Sequence, residues 1–201
     1  MLSTPRDAIL PTEIAGPLLA ERAEAGLLGR IADGESHAFE QLYRAYHSRL
    51  ARFLDRLTRR PGLVGELLND TMLVVWNRAG TYNGRCKVST WIFAIAYRKA
   101  IKALSRLDEP VQDEPDEDPA PSQTGPEHHV AQSQIRAMLA RAVDHLSLEQ
   151  RAVVHLTYLH GFGYREIGEI IGCPVDTVKT RMFHARRRLK TLLAGRLEDW
   201  R

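Results

Sequence analysis

The sequence predicts an all-α protein: two small helical domains joined by an acidic, Pro-rich flexible linker. Three observations carry that expectation. Apolar residues recur at three- and four-residue spacing through most of the chain, the period of amphipathic helices. No stretch of useful length alternates apolar and polar residues as a half-buried strand does. Between Leu107 and Glu127 the only charged residues are acidic, and they are interleaved with Pro110, Pro115, Pro119, Pro121 and Pro126. Such a composition cannot bury enough apolar surface to offset its ordering entropy.

Residues 1 to 26 form an N-terminal extension whose role is open: a disordered tail, a short helix around Ile14 to Leu28, or a regulatory segment. From Ile31 onward Phe39, Leu42, Tyr43, Tyr46, Leu50, Phe53, Leu54 and Leu57 mark a long amphipathic helix, stopped by Pro61-Gly62. Leu63, Leu67, Leu68, Met72, Val75 and Trp76 mark a second, ending near Gly80. The run from Tyr82 to Lys87 contains Asn83-Gly84 and reads as a loop. Ser89 or Thr90 is placed to cap a third helix from about Trp91 to Arg106. The first domain thus spans 27–106 and the linker 107–128. A second domain over 129–195 contains four further helix patterns, and 196–201 is a tail. Ser147 with Gln150 three residues later is a capping-box start for the helix that follows.

With 201 residues, 44% of them hydrophobic, two modest cores fit better than one. The formal charge of +3 hides two separated fields. Against the acidic linker stands Val175 to Lys190, which carries Lys179, Arg181, Arg186, Arg187, Arg188 and Lys190 with Asp176 as its lone acid. Cys86 and Cys173 lie in different segments without CxxC spacing, so neither a disulfide framework nor zinc is indicated, and a reducing cytoplasm fits. The start of the chain lacks the basic n-region and continuous apolar run of a signal peptide. No later apolar run reaches about 18 residues, so no membrane insertion is expected. His155 and His160 are five apart and His128-His129 stand at the end of the linker; no metal spacing or phosphate-binding Gly loop is found, and neither a cofactor nor catalysis is expected.

The stretch Tyr164 to Lys190 carries the most chemistry. Tyr164, Ile167, Ile170 and Ile171 give one short helix an apolar edge, and Val175, Val178, Met182, Ala185, Leu189 and Leu192 give the next another. Gly172 can adopt the left-handed backbone that closes a helix, and Pro174 suits the start of the next. Two short helices sharing a core across such a break make a helix-turn-helix. Its outer residues are Thr177, Lys179, Thr180, Arg181, Phe183 and His184, types that meet phosphates, base edges and thymine methyls in a groove. A helical hairpin with an ordinary charged face is the alternative for this segment alone.

The ordered set "GESHAFEQLYRAYHSRL", "ELLNDTMLVVW", "STWIFAIAYRKAIKAL", the acidic tether and "LSLEQRAVVHLTYLHGFGYREIGEIIGCPVDTVKTRMFHARRRL" resembles the bacterial extracytoplasmic-function (ECF, group 4) sigma factors of the sigma-70 family. The likeness covers about Leu27 to Leu193. It implies a cytoplasmic protein that binds core RNA polymerase, recognises -35 and -10 promoter elements, nucleates melting and is controlled by an anti-sigma factor. Contacts with the clamp helices of the largest subunit would fall on Glu66, Leu68, Asn69, Asp70, Met72, Leu73 and Trp76, while the second domain would meet the flap region. Recognition and opening at -10 would fall on Tyr82, Asn83, Arg85, Lys87, Trp91, Arg98, Lys99 and Lys102. The -35 contacts would be Arg165, Thr177, Lys179, Thr180, Arg181, Phe183 and His184. Taken by themselves, Trp76 and Trp91 suit a core better than a contact.

Two departures from the family pattern bear on base choice. Ala96-Tyr97-Arg98 stands where relatives often have Ala-Arg-Asn, and His184 stands where they often have Arg. A neutral imidazole offers one donor and one acceptor instead of a guanidinium fork. Two non-enzymatic rivals fit less well. A helix-turn-helix regulator with an effector domain does not account for the clamp-like helix and melting loop. A sigma mimic that sequesters an anti-sigma factor has no need of the basic last helix, and no receiver domain is evident.

Overall fold

The computed structural model describes residues 12–107 and 138–198. Of the expected linker only Leu107 is described, and it ends the last helix of the first half; residues 108–128, with His128-His129, and 199–201 of the expected tail lie outside the described residues, while 196–198 continue the final helix. Helix α1 (Thr12–Ala32) is longer than the short N-terminal helix weighed from sequence, and it crosses the expected boundary at residue 26. It ends where Gly34 takes φ +86°, so the apolar pattern that begins at Ile31 belongs to two helices and not to one. Gly34 N–H bonds Ile31 O at 2.9 Å and Glu35 N–H bonds Arg30 O at 3.0 Å, which satisfies the last carbonyls of α1. Arg30 adds a bidentate ion pair to Glu35.

Helix α2 (Ser36–Thr58) buries Ala38, Leu42, Tyr46, Leu50, Phe53, Leu54 and Leu57 along one stripe. Helix α3 starts at Pro61, where the missing N–H costs nothing, and runs to Arg78. A 3-10 turn over Ala79–Thr81 leads into the loop before α4 (Val88–Leu107). The second half holds a helical segment over 138–144 (α5), then α6 (Leu148–Tyr158), α7 (Tyr164–Ile171) and α8 (Val175–Glu198). The capping box opens α6 as its sequence predicts: Gln150 N–H bonds Ser147 Oγ at 3.3 Å and Ser147 N–H bonds Gln150 Oε1 at 3.4 Å.

The two halves share one continuous core. Leu28, Tyr46, Phe53, Met72 and Ile92 fill the α1–α4 bundle, while Val153, Leu156, Ile167, Ile170, Val178 and Met182 fill the second half. Helix α7 packs on α4 and α6 packs on α2. Phe162 meets Phe93 with ring centroids 5.0 Å apart, and His160 lies 4.9 Å from Phe93 and 5.7 Å from Phe53. The Arg151 guanidinium, 9% exposed, donates to Leu57 O across the junction at 3.1 Å and to Leu146 O at 3.3 Å. Arg59 pairs with Asp144 at 3.3 Å and Lys87 with Glu166 at 2.9 Å.

Burial, followed by the nearby cations Arg56 and Arg151, lowers the pKa of His155 at this junction to about 4. His160 is lowered to about 4 by burial and by Arg49 and Arg52. Both rings are therefore neutral in the folded chain, and the unfolded chain takes up protons first as pH falls below about 6.5. Stability is full above that value and declines as pH falls toward 4. His155 alone contributes a loss of roughly 2 kcal/mol at pH 5. Urea midpoints at pH 7 and pH 5 measure it, and the difference shrinks in a His155→Leu variant.

Candidate nucleic-acid interface

The turn between α7 and α8 is built as its sequence suggests. Gly172 takes φ +72° and its N–H caps Gly168 O, while Cys173 N–H reaches the same carbonyl at 3.0 Å. Gly168 is required for a separate reason: a Cβ there would stand 2.8 Å from Cys173 O. Since that neighbour is backbone, a Gly168→Ala variant forces the turn open, at about 1 to 3 kcal/mol. The expected outcome is a lower melting temperature with α8 displaced. Thermal denaturation and DNA affinity measure the two effects separately.

Sharing a core through Val178, Met182 and Ala185 leaves the opposite side of α8 in solvent. Lys179, Thr180, Phe183 and His184 are exposed there; Thr177 and Arg181 flank them half-buried, and Arg165 is exposed on α7. Phe183 is 63% exposed, a residue type that can meet thymine methyls in a groove. It stands edge-on to His184, centroids 5.5 Å apart. Lys179 Nζ lies 3.0 Å from Asp176 Oδ1, an exposed pair within the first turn that contributes little stability. Asp176 thus holds Lys179 and lies in the first turn of α8, where a negative charge is favourable. Arg187 and Arg188 extend the cationic side, and Arg186 is tied to Tyr158 Oη at 2.9 Å.

A second basic surface lies on the first half. Helices α3 and α4 border a cleft of about 320 Å³ that gathers Trp91, Arg98, Lys99 and Lys102 over an apolar floor of Val74 and Ile95. It also takes in Arg78 and Thr81, which sequence reasoning missed. The available signal was the basic last turn of α3, which ends in Arg78. Trp91 is half-buried, its ring 5.7 Å from that of Tyr82. Tyr82 starts the loop and donates to Cys86 O at 2.6 Å. Burial and the Glu21 carboxylate push its phenol up to about 12. Asn83 Oδ1 accepts Arg85 N–H at 3.1 Å and Gly84 takes φ +69°, which fixes the tight turn. Arg85 is exposed. Lys87 is held by Glu166 of α7, so its charge is neutralised in this arrangement.

The expected polymerase face divides. Glu66 and Asn69 are exposed, and Leu73 is 57% exposed. Leu68 and Met72, at 2% and 1% exposure, point into the core and are not available for contact. They support the face from beneath, because α3 turns its i, i+4 edge toward α2 and α4. Trp76 is half-buried, edge-on to Phe39 at 5.2 Å. Asn69 accepts a hydrogen bond from Tyr43 Oη at 3.3 Å. Asp70 pairs with Lys99 at 2.8 Å, so a residue expected to meet polymerase and one expected to meet DNA meet each other. The helix cap expected from Ser89 or Thr90 is also corrected: α4 begins at Val88, and both lie inside its first turn. Among the described residues no group of three His, Cys, Asp or Glu side chains can hold a metal, and no helix is long and apolar enough to cross a membrane.

Comparison with known proteins matches both halves of the chain. Residues 42–109 match Sigma-70 region 2 and residues 136–189 match Sigma-70, region 4. The chain is 33% identical over 175 residues to the ECF RNA polymerase sigma factor SigM of Mycobacterium tuberculosis H37Rv, covering 86% of each. It is 31% identical over 172 residues to SigK of Mycobacterium sp. strain JLS, covering 83% of this chain and 89% of the relative. Among solved structures it shares the fold of CnrH, determined with the cytosolic domain of CnrY, at TM-score 0.65 and 22% identity, over 86% of this chain and 98% of that one. With both halves of the chain matched and relatives alike over most of its length, this protein belongs to the ECF group of RNA polymerase sigma factors, within the sigma-70 family.

Proposed function

We propose that the chain is an alternative sigma factor, an initiation factor and not an enzyme, acting in the bacterial cytoplasm. It binds core RNA polymerase, reads the -35 element with α8 and the -10 element with the α3–α4 cleft and the loop before α4, and nucleates strand opening. The observation that carries this reading is the pair of exposed basic surfaces on different halves of one chain, each with an aromatic ring among its cations. Strand opening needs cations for the displaced backbone and rings against which bases stack; Arg78, Arg98, Lys102 and Trp91 supply both. Clamp binding falls to Glu66, Asn69, Asp70 and Leu73, an exposed leucine with two acids and an amide on the two helical turns before it. Such a mixture of apolar anchor and polar rim suits an interface. The flap region of polymerase is the partner of the second half.

The closed arrangement has a consequence for regulation. Elements centred at -35 and -10 are about 25 base pairs apart, about 85 Å along B-DNA. Here Lys87 of one reader lies 2.9 Å from Glu166 of the other half. The halves must separate for both elements to be engaged at once. A protein that grips both halves keeps the factor closed, and an anti-sigma factor is the class of partner this fits. Promoter-specific initiation with purified core polymerase tests the function: transcripts from a defined start that require this chain support it. DNA binding by the chain alone, with no transcription when polymerase is added, would overturn it.

A further inference from the structure

The loop before α4 is organised from outside its own segment. Helix α4 starts at Val88 behind Lys87, whose side chain has no capping oxygen. Glu21 of α1 supplies one: its Oε1 accepts Val88 N–H at 2.6 Å. The same oxygen lies 3.5 Å from Tyr82 Oη. A phenol has one proton, and Tyr82 gives it to Cys86 O at 2.6 Å, closing the loop on itself. One turn further along the same face, Glu24 accepts from buried Tyr46 Oη at 2.6 Å and fastens α1 to α2. The carboxylate of Glu21 also sits where the positive end of the α4 dipole favours an anion. Residue 21 lies outside the span matched to Sigma-70 region 2, which begins at residue 42.

We propose that Glu21 is a positioning residue for promoter opening: it fixes the start of α4 and the closed loop 82–87, and so aims Asn83, Arg85 and Trp91 at the displaced strand. The N-terminal extension thereby gains a role in initiation without touching DNA. The proposal rests on the assignment of that loop to -10 opening. A bond to a backbone N–H needs an oxygen acceptor and not a charge, so the amide variant separates this role from simple electrostatics.

The test uses the full chain with core polymerase on two templates, a duplex promoter and the same promoter with its -10 segment already unpaired. Glu21→Ala slows open-complex formation on the duplex by about tenfold, the scale expected for a lost helix cap. It leaves the unpaired template and polymerase affinity near parental values. Glu21→Gln recovers most of the rate. Parental opening by Glu21→Ala, equal losses on both templates, or a Glu21→Gln variant as slow as Glu21→Ala overturns the proposal. An Asn83→Ala/Arg85→Ala chain run beside them isolates the underlying assignment: if that chain opens the duplex normally, the loop is not the opening element, whatever Glu21 does.

Discussion

Alanine at both Lys179 and His184 lowers transcription from promoters that depend on their -35 element by at least about tenfold, since a good base contact contributes about 1 to 3 kcal/mol of discrimination. The two side chains stand on the exposed side of α8, and neither is buried in the shared core. Their removal leaves Val178, Met182 and Ala185 in place, so the helix-turn-helix keeps its fold and melting temperature. The loss is selective. A promoter that carries only a strong -10 element retains most of its activity, whereas a uniform loss on every template would assign these residues to phosphate attraction instead. Within the pair, Lys179 acts as a cation already tethered to Asp176 at 3.0 Å. His184 acts as a donor-acceptor ring. Restoring arginine at 184 should therefore change which base is preferred more than how tightly DNA is held. Measuring initiation across a library of -35 sequences separates these effects.

The second large effect concerns the junction. Phe162→Ala removes a ring that is 6% exposed and meets Phe93 edge-on with centroids 5.0 Å apart. Losing a buried phenylalanine costs about 3 to 5 kcal/mol. Even about 3 kcal/mol of that, spent on docking, moves the closed-to-open ratio by roughly a hundredfold. The expected result is a larger radius of gyration in solution with helicity retained, and tighter promoter binding by the free factor. Small-angle scattering and circular dichroism read the first, and a DNA-binding titration the second. Releasing the second half also frees Lys87 from Glu166, so the gain should be larger on templates with an unpaired -10 segment. A variant that stays as small as the parent would show that the remaining ties, Arg151 to Leu57 O and Arg59 to Asp144, hold the junction without the ring.

Much of the site was legible because the governing physics is local. The helix-turn-helix follows from spacing, a glycine able to take positive φ and a proline that cannot continue a helix. The outward set on α8 follows once the inward set is known. The capping box at Ser147 and Gln150 is a three-residue relation and formed as read. The polymerase face was less legible. Leu68 and Met72 share a segment with exposed Leu73, and a list of apolar residues on one helix does not say which of them its neighbours cover. Lys99 and Lys87 looked like free cations because their partners, Asp70 and Glu166, lie on other helices. Arg78 joined the cleft only when α3 and α4 were set side by side.

By itself the sequence determined the all-helical class, the reading helix and the separation of acidic from basic segments, since each depends on period, backbone freedom or composition over a few turns. Only the tertiary structure decided that the two halves close on one core through Phe93, His160 and Phe162, that Lys87 and Lys99 are neutralised, and that a carboxylate of α1 caps α4. Those outcomes depend on which surfaces meet across long stretches of chain, and a helical period fixes which side of a helix is apolar without specifying what will cover it.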